Sequence, residues 1–261
     1  KILATDKDNS WTKTDIAGEA TWADVLREKS PEGRIATSSW HYVRLDPDNP
    51  DVKRACFGRP GLPASTPASH GPKDACAIEK IEQFAKELRS SETSAHERLL
   101  ALQFMLNLVG DLHQPLGAID RKDQGGQCVA ILPSGAKTPI RLETYWNDTL
   151  VAEAEGKDAA KAAGAIVAAL SPADIEKWSS GTLEDWVREA HEVAKSAAYN
   201  LPPPAEGRHA FPVRKGEKDA CGAVPLYRVD AAYRDRAIAA VKEQLAKAGV
   251  RLAHLLRENL K

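Results

Sequence analysis

Apolar positions crowd one stretch of the chain, FMLNLVGDLHQPL, so densely that it reads as a helix buried nearly all round. Leu102, Phe104, Met105, Leu106, Leu108, Val109 and Leu112 surround two polar residues, Asn107 and Asp111. These lie four apart and so project from one face of a helix. A carboxylate in such surroundings must be paired, hydrogen-bonded or metal-bound, because burying it alone costs several kcal/mol. Asp111 therefore needs a partner from elsewhere in the chain. An arginine, backbone amides or a metal ion would each serve.

The same patterning predicts helices over roughly 12–28, 76–90, 94–112, 143–155, 157–169, 183–198 and 230–257. The last is the clearest amphipath, with Ile238, Val241, Leu245, Leu252, Leu255 and Leu256 at helical spacing, and reads as scaffold. In CVAILPSGAKTPIRL, two apolar runs flank a PSG turn, the pattern of a small β-hairpin. Pro202 to Pro204 and the charged loop to Asp219 read as a surface excursion. The fold class is thus mainly α, and residues 1–261 are expected to form a single domain.

Composition narrows the function without naming it. With 261 residues, 43% of them hydrophobic, the chain can bury a substantial core. A net charge of −1 gives no global basic footprint, so any nucleic-acid binding must be local. No run of eighteen apolar residues exists to span a membrane, and no signal peptide is read at Lys1. Cys56, Cys76, Cys128 and Cys221 lie far from CxxC spacing, which disfavours zinc binding by thiolates. Cys56 and Cys76 bracket the loop FGRPGLPASTPASHGPKDA, but three disulfide connectivities stay open. His70, His96, His191, His209 and His254 stand without ligand spacing and read as structural or solvated.

Four further phrases accompany GDLHQPL: TWADVLR (Thr21 to Arg27), WHYVR (Trp40 to Arg44), DQGGQC (Asp123 to Cys128) and RLETYWND (Arg141 to Asp148). In this order, with a matching C-terminal helix, they resemble the zinc-dependent nuclease and 3′-nucleotidase family that includes mung bean nuclease. The resemblance implies a helical fold related to bacterial phospholipase C. It also implies three zinc ions in active members, which drive phosphodiester and 3′-phosphate hydrolysis on single-stranded nucleic acid. Active members are exported, so the resemblance favours two disulfides and a secreted or periplasmic location.

Carried over position by position, the family's ligands survive unevenly. Asp24, His41 and the zinc-bridging Asp111 are kept. Two histidine positions hold Asn107 and Gly117, and the His and Asp of the last motif are Glu143 and Asn147. The family's N-terminal Trp and His have no counterpart, because Lys1 aligns with the end of its first helix. Trp11 is no substitute, since its amine lies within a peptide bond. Zinc takes deprotonated N, S or O donors in near-tetrahedral sets, so at most one ion is expected, at Asp24, His41 and Asp111 with Asn107 as a weak fourth. Mn²⁺ or Ca²⁺ on Asp24, Asp111 and Glu143 would suit the oxygen chemistry.

Arg27 matches an arginine that neutralises the transferred phosphate, although a surface role or pairing with Asp24 serves equally. Tyr42 matches a base-stacking aromatic, Arg44 replaces an Asp that reads the base edge, and Gln127 replaces an asparagine. His113 is not a ligand in the family and is expected to lock the loop by hydrogen bonds. The losses fall on ligands, whereas Gly110, Gln114, Pro115, Gly125, Gly126, Tyr145 and Trp146 keep the frame. Two function classes follow: a hydrolase of this family with crippled catalysis, or a non-catalytic pseudoenzyme whose former active-site pocket holds a nucleotide, another small molecule or a protein. Asp24, Arg27 and Asp111 are the candidate catalytic residues.

Overall fold

The structure is a computed structural model that describes all residues except 8, 57–61, 64, 214–218 and 261. In chain order its helices are α1 (Ile16–Glu19), α2 (Trp22–Lys29), α3 (Pro31–Thr37), α4 (Val52–Cys56), α5 (Ala77–Arg89), α6 (Ala95–Leu112), α7 (Leu142–Thr144), α8 (Leu150–Glu155), α9 (Ala159–Ala169), α10 (Pro172–Ser179), α11 (Leu183–Val193) and α12 (Ala231–Asn259). Short π-helical stretches continue α7 over Tyr145–Thr149 and α11 over Ala194–Ala198. The strands are β1 (Ala130–Pro133), β2 (Ile140–Arg141), β3 (Ala205–Ala210) and β4 (Ala223–Val229).

Helix α6 is the axis of the molecule, as its all-round apolar pattern requires. Ser94 caps it by accepting from the Glu97 amide, and Leu102 through Val109 are all buried. Its main partners are α5, α12 and α2. Between α5 and α6, Phe84 and Phe104 stack with centroids 4.9 Å apart, and Trp40 meets Phe104 edge-on at 5.2 Å. A second cluster joins the sheet to α12, where the Trp146 indole donates to the Tyr233 hydroxyl at 3.0 Å and that hydroxyl donates to the Ala198 carbonyl at 2.7 Å.

Lys80 is fully buried in this core, over the rings of Trp40 (4.1 Å) and Phe84 (4.8 Å). Its ammonium donates to the carbonyls of Ala68 and Gly71 and to Gln83, tethering the loop that precedes α5. Lys80→Met keeps most of the side-chain volume but orphans those carbonyls. We expect it to cost about 2–4 kcal/mol, read as a lower urea midpoint.

The disulfides are Cys56–Cys76 and Cys128–Cys221, which closes the choice among connectivities. The first tethers the loop bracketed in the sequence, of which residues 57–61 and 64 lie outside the described residues.

Departures from the sequence reading have local causes. The expected helix over 12–28 breaks at Ala20 and Thr21, where the Thr21 hydroxyl donates back to the Gly18 carbonyl at 2.8 Å and competes with the helical pattern. Helices α3, α4 and α10 were not anticipated. Two of them carry start signals, Ser30-Pro31 and Ser171-Pro172, with the serine side chain accepting from Gly33 and Asp174 amides respectively. The hairpin forms as expected, β1 antiparallel to β2, but it is part of a four-stranded sheet ordered β2-β1-β4-β3. The surface excursion is thus corrected over 205–210, which form the edge strand β3, antiparallel to β4; residues 214–218 of that segment lie outside the described residues. An exposed, mainly polar edge strand has no alternation to betray it. Among the described residues no helix is long and apolar enough to cross a membrane.

Candidate functional site

The C-terminal half of α6 opens onto a cavity of about 750 Å³. Asp24 and Arg27 reach it from α2, His41, Tyr42 and Arg44 from the segment after α3, Gln124 and Gln127 from the glycine turn, and Glu143 and Asn147 from α7 and its π continuation. Asp111 and Gly117 complete the wall. Every site residue anticipated from the sequence therefore lines one cleft, except Asn107, which is buried behind Asp24. Arg34, Glu28 and Asp148 also line it and were not anticipated. Arg34 lies on α3, a short helix with no apolar period to announce it.

Asp111 finds its partner in His41, whose Nδ1 lies 2.6 Å from the carboxylate. Burial raises the Asp111 pKa, and the hydrogen bond from His41 works against that rise. Asp24 is held from two sides. Arg27 Nη1 donates to one oxygen at 3.2 Å, and the Asn107 amide donates to the other at 2.9 Å while also reaching the Ala20 carbonyl at 3.0 Å. Two acceptors around that nitrogen fix the orientation of the amide. In place of a fourth ligand lone pair, Asn107 thus presents a donor. Along the opposite wall, Gln114 donates to Asn147 at 2.5 Å and Asn147 donates to Glu143 at 2.9 Å. The Arg44 guanidinium covers the Tyr42 ring at 4.1 Å and donates to the Gln124 carbonyl at 3.3 Å.

The atoms that a zinc ion would draw together are turned on one another. His41 Nδ1 faces Asp111, both Asp24 oxygens accept from donors, and the Glu143 carboxylate accepts from an amide where zinc would need a second anion or imidazole. Among the described residues no three His, Cys, Asp or Glu side chains converge in a metal-binding group. These donors do not fit the zinc set that the sequence resemblance implies.

His113, just past α6, locks its loop as expected. Its Nδ1 lies 2.7 Å from the Val109 carbonyl and its Nε2 2.9 Å from Arg251 Nη1. An arginine can only donate, so Nε2 accepts and the proton sits on Nδ1.

Fold and cleft together define a mainly helical, disulfide-bonded protein with an acid- and arginine-walled groove at the end of its central helix. The chain belongs to the S1/P1 nuclease family, whose model matches residues 2–261. It is 28% identical to "Nuclease S1" of Aspergillus oryzae (strain ATCC 42149 / RIB 40) over 147 residues, covering 54% of this chain and 44% of that protein. It is also 28% identical to "Endonuclease 4" of Arabidopsis thaliana over 158 residues, covering 52% of this chain and 48% of that protein. The chain spans about half the length of these curated relatives.

Proposed function

We propose that this protein keeps the nucleic-acid cleft of its family while its hydrolysis of phosphodiesters and 3′-phosphates is lost or residual. The observation that carries this reading is the Asn107 amide, which donates to Asp24 in the place of a metal-directed donor. Hydrolysis of a phosphodiester needs a metal-activated hydroxide and positive charge against the developing phosphorane. With the retained acids facing hydrogen-bond donors, only Arg27 among Asp24, Arg27 and Asp111 still offers charge to a phosphate, and it shares that charge with Asp24. Tyr42, Arg44 and Gln127 form the substrate wall in this reading, and single-stranded nucleic acid or a nucleotide is the ligand. Residues 1–261 act as one domain, and two disulfides favour work in an oxidising, extracellular or periplasmic setting.

The test is elemental analysis of zinc on protein purified without chelator, with single-stranded DNA cleavage assayed on the same sample after zinc is added. Less than one ion per chain and at most trace cleavage is expected. A full zinc complement with cleavage that chelator abolishes would overturn the reading.

A further inference from the structure

A second cavity, of about 550 Å³, lies beyond the turn that closes the main cleft. Lys122 lines this second cavity and Gln124, two residues on, lines the first, so the turn is their common wall. Both residues hold left-handed backbone, with φ of 65° at Lys122 and 59° at Gln124. Such a conformation is costly for a residue with a side chain and persists only where the surroundings over-determine it. Here they do. The Asp120 carboxylate accepts from the Asp123 and Gln124 amides at 3.0 Å each, Asp123 accepts from Gly126 at 3.1 Å, and the Tyr199 hydroxyl donates to Asp123.

The charges around the second cavity are not equally engaged. Asp46 and Asp120 both line it with their oxygens already accepting: Asp46 from the Asp48 and Asn49 amides, which with the nearby Lys122 hold its carboxyl below the usual range and so ionised, and Asp120 from the amides of the turn. Asp48 is the remaining acid. Against these stand Arg121, Lys122 and Lys195. The Arg121 guanidinium lies 4.9 Å from the Tyr199 ring centroid, a flat cationic surface, and Lys195 makes a surface pair with Glu192 at 3.7 Å.

We propose that this second cavity is a phosphate-backbone subsite for the same single strand that enters the main cleft, with Lys122 and Lys195 contacting phosphates and the strand crossing the 120–126 turn. The inference rests on the nucleic-acid reading given above. It also explains why position 122 holds a strained lysine where glycine would be relaxed: the cation faces the cavity from the wall itself.

The test uses Lys122→Gly/Lys195→Ala in the full chain. Glycine suits the left-handed backbone at 122, so folding is preserved and stability at that position is expected to hold or rise. Fluorescence anisotropy with labelled oligothymidylates of two and eight nucleotides, in chelator, measures binding without cleavage. The unmodified chain is expected to bind the octamer more tightly than the dimer. In the variant the octamer is expected to bind about tenfold more weakly with a shallower salt slope, by about 0.7 per lost contact, while dimer binding is unchanged. Octamer binding that the variant leaves intact would overturn the subsite alone. No oligonucleotide binding by the unmodified chain would overturn both the subsite and the functional reading beneath it.

Discussion

A variant carrying Asn107→His, Gly117→His, Glu143→His and Asn147→Asp is expected to bind at least one more zinc ion per chain than the unmodified protein and to cleave single-stranded DNA about 100-fold faster. Each change replaces an amide, an empty position or a mismatched acid with a donor that zinc prefers. Asn107→His exchanges the N–H now aimed at Asp24 for an imidazole on the same face of α6, one turn before Asp111. Gly117 has room for a side chain: a Cβ there would meet the Asp111 carbonyl at 3.5 Å and Tyr42 Cβ at 3.8 Å, ordinary contact distances. Positions 143 and 147 are already coupled by a hydrogen bond across one turn, so His and Asp would share a face. Asn147→Asp also replaces the amide donor now directed at position 143 with a carboxylate. Zinc per chain and initial cleavage rate are the readouts. If the variant melts like the unmodified protein yet gains no zinc, the assignment of the lost ligands is wrong.

Arg251→Met should lower stability by about 3–5 kcal/mol, roughly 10 °C in Tm for a chain of this size. The guanidinium is buried and reaches three elements at once. It pairs with Glu189 on α11, donates to the Trp178 carbonyl at 3.1 Å at the end of α10, and donates to His113 at 2.9 Å below the cleft. Lys247 shares Glu189, and the Trp186 ring lies 4.9 Å from the guanidinium. Removing the arginine leaves His113 Nε2 and the Trp178 carbonyl unpartnered. Arg257→Met, on the exposed side of α12, should change stability by no more than about 0.5 kcal/mol and serves as the control.

The same network sets an acid limit. Burial, with Arg251 adding to it, pushes the His113 pKa from its ordinary 6.5 down to about 4. Between those values the unfolded chain takes up a proton that the folded chain refuses. His113 therefore supports the fold fully above pH 6.5, and that support, about 3 kcal/mol, is lost as pH falls toward 4. Urea midpoints measured across that window would show the decline, and a flat profile in the unmodified protein would contradict it.

Helices α5, α6 and α12 were legible because each carries a long, dense set of apolar positions, all round in α6 and along one face in α5 and α12. Segments that depend on partners were not. The β3 strand has polar, exposed residues and exists through its pairing with β4, and α3 was hidden in a short polar stretch despite its Ser-Pro start. In the cleft, motif words located Asp24, His41 and Asp111, and the structure brings them to one wall. What they could not give was direction. That the Asn107 nitrogen, not its oxygen, faces Asp24 follows from the Ala20 carbonyl, a backbone group with no signature in sequence. Arg34 and the second cavity are likewise products of tertiary placement.

The sheet joins its two halves through β1 and β4, parallel neighbours whose pairing runs from Ala130 opposite Leu226 to Pro133 opposite Val229. Parallel strands cannot be connected by a tight turn, and here a large share of the chain lies between them. The Cys128–Cys221 bond stands at the start of both strands and spans 93 residues. In chain-entropy terms, closing a loop of that length removes on the order of 4–5 kcal/mol of freedom from the unfolded chain. The covalent link thus falls on the one pairing of the four described strands that local sequence cannot bring together by itself.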